Sequence, residues 1–164
     1  MIRDKVLLLI KISKKNNLNI SVAESCTGGL LSSSIIEIPG ASDIFNSGFV
    51  TYSNIAKIKH LDVNKDIVKK FGAVSNETSL AMAKGLYKIS KSNLIVSITG
   101  VAGPSGGTLK NPVGTVFFTF GVRQNKRTVT YSTYRVNFKS KNRVGIQKKS
   151  VNYVLDKFIE IAKN

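Results

Sequence analysis

Residues 20–38 read ISVAESCTGGLLSSSIIEI, and this stretch decides the class of fold. Ile20 to Ala23 has the apolar, β-branched character of a short buried strand. The segment ESCTGG at 24–29 breaks it with two consecutive glycines. A helical run then extends from about Leu30 to Ile38 and stops before Pro39–Gly40. A strand, a glycine turn and a helix in that order are the unit of an open α/β sheet. Such sheets gather their sites at the carboxyl ends of strands.

The same alternation continues on both sides. Apolar residues at Val6, Leu9, Ile10 and Ile12 predict an opening amphipathic helix that ends near Asn16–Asn17. Phe45 to Ser53 reads as a strand, Asn54 to Leu61 as a short helix, and Asp62 to Phe71 as helical too. Gly72–Ala73 breaks the pattern, and Ser75-Asn76-Glu77-Thr78 caps a helix running to about Ser90. Its inner face is expected to carry Leu80, Ala83, Leu86 and Tyr87. Leu94 to Thr99 is a buried strand, and Gly100 to Pro112 is too rich in Gly, Pro and Ser to be regular. Val113 to Val122 and Thr128 to Phe138 predict a hairpin around Gln124-Asn125-Lys126. Val144 to Ile161 closes the chain as an amphipathic helix. The expectation is a single domain over residues 1–164. Its architecture would be a three-layer α/β/α arrangement on a mixed, mostly parallel five-stranded sheet with a late β-hairpin.

Composition narrows the chemistry. With 164 residues and 42% hydrophobic content, the chain can bury a core without staples. One cysteine, Cys26, excludes an internal disulfide framework, and together with the one histidine, His60, it cannot build a Cys/His zinc site. The nine acidic residues form no D-x-D cluster, so no metal site is expected. The formal charge of +16 is large, but the lysines are scattered in a background rich in Asn and Ile. That is the composition of an AT-rich coding sequence rather than of a dedicated nucleic-acid surface. Denser basic regions lie at Lys69–Lys70 and along Lys139–Lys149. The second includes Arg143 and could attract a phosphorylated substrate, although a solvated helix face is the commoner reading. The apolar run at Lys5–Ser13 is interrupted by Lys11 and lacks a cleavage site, so no signal peptide is read there. No apolar stretch reaches the roughly 18 residues of a membrane span. The expectation is a cytoplasmic protein with no membrane or nucleic-acid partner.

Three unusual segments fall at predicted strand ends. In SCTGG at 25–29, a hydroxyl precedes glycines and a helix N-terminus, which suits serine acyl transfer; the N–H groups around Thr27 to Gly29 would stabilise an oxyanion. A plain helix cap by Ser25 or Thr27 explains the same residues equally well. Cys26 is the rival nucleophile, though a small buried thiol is its commoner role. In YSNIAK at 52–57, Lys57 offers a base if desolvated, with Tyr52 to relay a proton or hold it. Taken alone, it is more simply an exposed helix lysine. TGVAGPSGG at 99–107 offers backbone N–H groups to an anion, yet it matches neither a Walker loop nor G-x-G-x-x-G, and a solvated loop would look the same.

Together these segments resemble the CinA C-terminal-domain family, the nicotinamide mononucleotide amidohydrolases (nicotinamide-nucleotide amidases). The matching stretches are AESCTGG at 23–29, PGAS at 39–42, GFVTYSNIAK at 48–57, GAVSNET at 72–78, ITGVAGPSGG at 98–107 and PVGTVFF at 112–118. The resemblance implies hydrolysis of the carboxamide of nicotinamide mononucleotide to nicotinic acid mononucleotide and ammonia, with no metal and no cofactor. It implies Ser25 as the nucleophile, Lys57 as its base and Tyr52 as an assistant. Thr27, Gly28, Gly29, Asn54, Thr99, Gly100, Gly103 and Arg143 are the expected substrate-binding residues. Two features depart from the family pattern. Gln147 stands where a second arginine is common. The chain also starts directly at the first helix, without the larger N-terminal nucleotide-processing domain of many members, which reads as a stand-alone form. The partner expected is the small-molecule substrate, and a homo-oligomer is compatible with the sequence. The alternative is a non-catalytic pyridine-nucleotide-binding or regulatory module; a nucleic-acid binder, suggested by charge alone, would lose its ligand steeply with salt.

Overall fold

The computed structural model describes residues 1–126, 128–140 and 142–163. Five strands form one sheet: β1 (Ile20–Glu24), β2 (Phe45–Val50), β3 (Leu94–Gly100), β4 (Thr115–Arg123) and β5 (Val129–Asn137). Their spatial order is β2-β1-β3-β4-β5. β1 runs parallel to both β2 and β3, whereas β3–β4 and β4–β5 are antiparallel. The expected mixed α/β sheet with a late hairpin is therefore the architecture found, with its parallel part confined to β2-β1-β3.

Period-two alternation sorts the strands' side chains between two helical layers. Ile20 and Val22 of β1, Leu94, Val96 and Ile98 of β3, and Val116, Phe118 and Phe120 of β4 face one side. There they meet α1 (Ile2–Lys15), α2 (Leu30–Ile36) and α6 (Arg143–Lys163) through Val6, Leu9, Leu31, Ile35, Val154 and Phe158. Ala23 and Ile95 face the other side, against α3 (Asn54–Leu61), α4 (Lys65–Phe71) and α5 (Asn76–Ser90).

Several boundaries differ from expectation for local reasons. β2 ends at Val50 rather than Ser53, because Ser53 turns back to cap α3, its Oγ accepting from the Ala56 N–H at 3.0 Å. α2 stops at Ile36, two residues before Ile38. The predicted helix over 62–71 is only α4: Asp62 is left-handed at φ 53° and ends α3, and Asn64 Oδ1 caps α4 through the Asp66 N–H at 2.8 Å. β4 begins at Thr115 because residues 112–115 close a turn, the Thr115 N–H donating to Pro112 O at 3.0 Å. The inner face of α5 is rotated from the one expected. It is Ser79, Met82, Ala83 and Leu86, with Leu80 and Tyr87 only half-buried. Ser79 belongs inside because its Oγ bonds the hydroxyls of Ser97 at 3.1 Å and Thr119 at 2.8 Å, so a polar residue sits on a buried face fully paired.

α3 leans directly on α5 at Gly85. A Cβ there would lie 1.7 Å from the carbonyl oxygen of Leu61, so only glycine permits this approach. The contact matters for function because α3 carries Lys57. Gly85→Ala should destabilise the protein by about 1–3 kcal/mol through overpacking against backbone. Urea unfolding checks this, and a variant as stable as the parent would mean that the two helices separate freely.

Candidate active site

β1 and β3 end side by side, and the segments that follow them converge with the one after β2. The Ser25 N–H donates to Ile98 O at 3.0 Å, and the Thr51 N–H to Glu24 O at 2.8 Å. Ser25 therefore extends the alternation of β1 by one residue. Its side chain continues the Ser21–Ala23 row toward the α3 and α5 layer, while Glu24 turns toward α2.

Into this corner comes Lys57, one turn into α3 and only 1% exposed. Its Nζ donates to Ser25 Oγ at 2.9 Å, to Thr51 O at 2.9 Å and to Tyr52 O at 3.2 Å. Desolvation pushes its pKa below that of an ordinary lysine, opposed only by the Cys26 sulfur. The exposed-helix reading of this lysine is overturned. Ser25 is itself 6% exposed rather than open to solvent, and it sits at the edge of a cavity of about 320 Å³.

That cavity brings together many of the residues expected to form the site. Ser25, Tyr52, Lys57, Thr99, Gly100, Gly103 and Arg143 all line it. Thr99 Oγ1 donates to Ala73 O at 2.7 Å, so the hydroxyl is fixed at the wall. Arg143, the first residue of α6, donates to Gly103 O at 3.0 Å and to the Tyr52 hydroxyl at 3.2 Å. Tyr52 thus serves the lysine through its carbonyl. Its ring, 63% exposed, stands at the mouth beside Arg143. Ala73, Val74, Ala102, Ser105 and Gly106 also line the cavity. The glycine-rich motif contained the last three, and Ala73 and Val74 lie in the GAVSNET stretch, although no site role was expected of them.

Other expected residues lie elsewhere. Thr27, Gly28, Gly29 and Asn54 do not line the cavity, and Asn54 is exposed at the start of α3. The oxyanion reading of residues 27–29 loses two of its donors: the Gly28 N–H donates to Ser25 O at 3.0 Å and the Gly29 N–H to Glu24 Oε2 at 3.1 Å. Gln147 donates to Cys26 O at 2.9 Å, so it braces the serine turn from α6, and it does not line the cavity. His60 is exposed in the last turn of α3. In the basic stretch 139–149, Lys149 donates to Lys139 O at 2.5 Å and Arg143 alone lines the cavity, while Lys141 lies outside the described residues. Among the described residues no three His, Cys, Asp or Glu gather as a metal site, and no helix is long and apolar enough to cross a membrane.

A family profile described as the CinA C-terminal domain matches residues 4–162. The chain belongs to the CinA C-terminal domain family. A CinA-like protein of Petrotoga mobilis is 49% identical over 117 residues, covering 71% of this chain and 29% of that protein. One from Fervidobacterium nodosum is 56% identical over 102 residues, covering 62% and 25%. The chain thus spans between a quarter and a third of the length of these curated relatives. The crystal structure of the competence/damage inducible protein CihA from Agrobacterium tumefaciens superposes with a TM-score of 0.92 at 34% identity, covering 99% of this chain and 96% of that one. A CinA-superfamily protein from Escherichia coli does so at 0.90 and 27%, covering 98% and 90%.

Cys26 is the remaining nucleophile to weigh. Cys26 also lines the cavity, but burial raises its thiol to about 12 and it belongs to the core cluster shared with α1, α2 and α6. At pH 8 the thiolate would then be about one part in ten thousand. The folded protein should resist iodoacetamide at pH 8 and react fully once denatured, as read by intact mass. Rapid native labelling would restore the thiol as a rival to Ser25.

Proposed function

We propose that the chain hydrolyses the carboxamide of nicotinamide mononucleotide, giving nicotinic acid mononucleotide and ammonia through an acyl-enzyme on Ser25. One observation carries the chemistry: a buried lysine amine 2.9 Å from a serine hydroxyl at the edge of a cavity. The choice of substrate rests on the family resemblance and is consistent with a cavity of about 320 Å³ that has a guanidinium at its mouth.

The donors and acceptors around Lys57 define its role. A neutral amine has two hydrogens and one lone pair. The carbonyls of Thr51 and Tyr52 can only accept, so they take the two hydrogens. The lone pair is left for the third partner, and the Ser25 hydroxyl donates to it. In that state Ser25 Oγ attacks the carboxamide carbon while Lys57 takes the hydroxyl proton. The ammonium now has three acceptors, and it returns the proton to the departing nitrogen, which leaves as ammonia. Water then attacks the acyl-enzyme with Lys57 again as base, and Ser25 is regenerated. Arg143 offers positive charge to the substrate phosphate, and Tyr52 packs beside it. No step calls for a metal, a nucleic acid or a membrane, and the partner in the reaction is the small-molecule substrate.

The test is ammonia release from nicotinamide mononucleotide in EDTA, beside Ser25→Ala. Wild-type release with a loss of about a thousandfold or more in the variant is expected. A variant with near-parental rate would exclude the serine. Nucleotide bound without release would leave a binding module.

The pH profile tests the lysine separately. Only the deprotonated amine can act as base, so kcat should rise with pH on a limb of unit slope. The limb should level off below the ordinary lysine value of 10.5, because burial lowers this pKa. Lys57→Arg, which keeps its proton, should remove that limb together with the activity. A flat profile in the wild type would remove Lys57 from the proton path.

A further inference from the structure

Glu24 is 0% exposed and immediately precedes the serine, yet the chemistry above does not use it. An isolated buried carboxylate is costly, so its partners must explain its place. It has four, all donors. Oε2 accepts from the N–H groups of Gly29 at 3.1 Å and Leu31 at 3.0 Å. Oε1 accepts from the Ser32 N–H at 2.8 Å and the Ser32 Oγ at 2.6 Å. The start of α2 is wrapped round this carboxylate, with Gly28 and Gly29 at φ 61° and 94° making the bend. Amides at a helix start favour negative charge, which stabilises the anion without a cation.

The main chain of the same residue reaches the other half of the dyad. Glu24 O accepts from the Thr51 N–H at 2.8 Å, and Thr51 O in turn accepts from Lys57 Nζ at 2.9 Å. A chain of short bonds thus runs from α2, through Glu24, to the acceptor that aims the lysine. Ser25 hangs between them by one peptide bond.

We propose that Glu24 is the positioning residue of the Ser25–Lys57 pair. Its carboxylate clamps the turn that follows the serine, and its carbonyl holds the strand end that sets the lysine. The inference rests on the serine–lysine reading of the site. It also assigns the helix N-terminus after the serine to an internal carboxylate, so that end of the helix is not free to receive a substrate anion.

Glu24→Gln is the informative variant. The amide keeps the shape, but one oxygen becomes an NH2: turned toward Ser32 it can donate to the hydroxyl while the Ser32 N–H loses its acceptor, and turned the other way it strands the N–H groups of Gly29 and Leu31. Two readouts are made on the full chain: steady-state ammonia release, and the rate at which a fluorophosphonate probe labels Ser25, read by peptide mass. We expect kcat and labelling rate to fall together by about tenfold to a hundredfold, as for a reacting atom displaced by a fraction of an ångström. KM should stay within about twofold, and circular dichroism should be unchanged. Glu24→Asp, one methylene short of the donors, should not restore the rate.

Wild-type kcat and labelling in Glu24→Gln would overturn the proposal, as would a fall in melting temperature alone. If Glu24→Gln does not fold, Ser32→Ala removes one donor and leaves the carboxylate. It should slow labelling by about twofold to fivefold, and an unchanged labelling rate would overturn the idea. A wild type that labels at Ser25 but releases no ammonia would sink the substrate reading and leave the Glu24 test standing. A wild type that does not label at Ser25 would overturn both.

Discussion

A lysine ammonium buried among strand ends is the constraint around which this molecule is arranged. Removing such a group from water costs several kcal/mol unless acceptors replace its hydration. Nearly every element near the site supplies or secures one. β1 delivers the Ser25 hydroxyl, and the exit of β2 delivers two carbonyls, at 51 and 52. α3 must then approach α5 closely enough for its fourth residue to reach inward, and Gly85 makes that approach possible. The same burial disfavours the charged form, so one constraint accounts for both the location of Lys57 and its lowered pKa.

A second constraint is the polarity of the sheet face beneath α5. Most α/β sheets pack apolar side chains on both faces. Here Ser97, Thr119 and Thr133 form a hydroxyl chain under Ser79, and Ser21 pairs with Ser47 and Ser92. Ser79, Ser97, Thr119 and Ser21 each have at least two hydrogen-bond partners within these rows or on the adjoining backbone, so a register slip would strand several polar groups at once. On the same face, Ser25 follows Ser21 at the end of β1 and Thr99 follows Ser97 near the end of β3. Ser25 is the point at which this polar face opens onto the cavity.

Much of the fold was legible because its signals were local. Strand–glycine–helix at 20–36, a serine cap at 75 and an apolar run at 94–99 each require only neighbouring residues to be read. Boundaries failed where a single side chain or backbone angle decided them, as with Asp62 and Asn64 between α3 and α4. The inner face of α5 was misread because hydrophobicity assigns a serine outward, and only the partners on β3 and β4 bring Ser79 in. At the site, Ser25, Lys57, Thr99 and Arg143 could be named from motifs, but their convergence depends on three strand ends far apart in sequence. Ala73 and Val74 fell inside the GAVSNET stretch, but small apolar residues in a loop carry no chemical sign of a role at a site.

Glu24 and Gln147 show what motif reading misses even inside a recognised motif. Both are polar, both lie next to the chemistry, and both would be assigned to substrate on residue type. The carboxylate instead takes the amides that begin α2, and the carboxamide takes the Cys26 carbonyl from the side of α6. The turn carrying the serine is thereby held from two directions by side chains that never face the cavity. A serine on a glycine-rich turn would otherwise sample many positions. The glycines that let the backbone bend so sharply are the reason the bend has to be braced, and Glu24 and Gln147 are the braces.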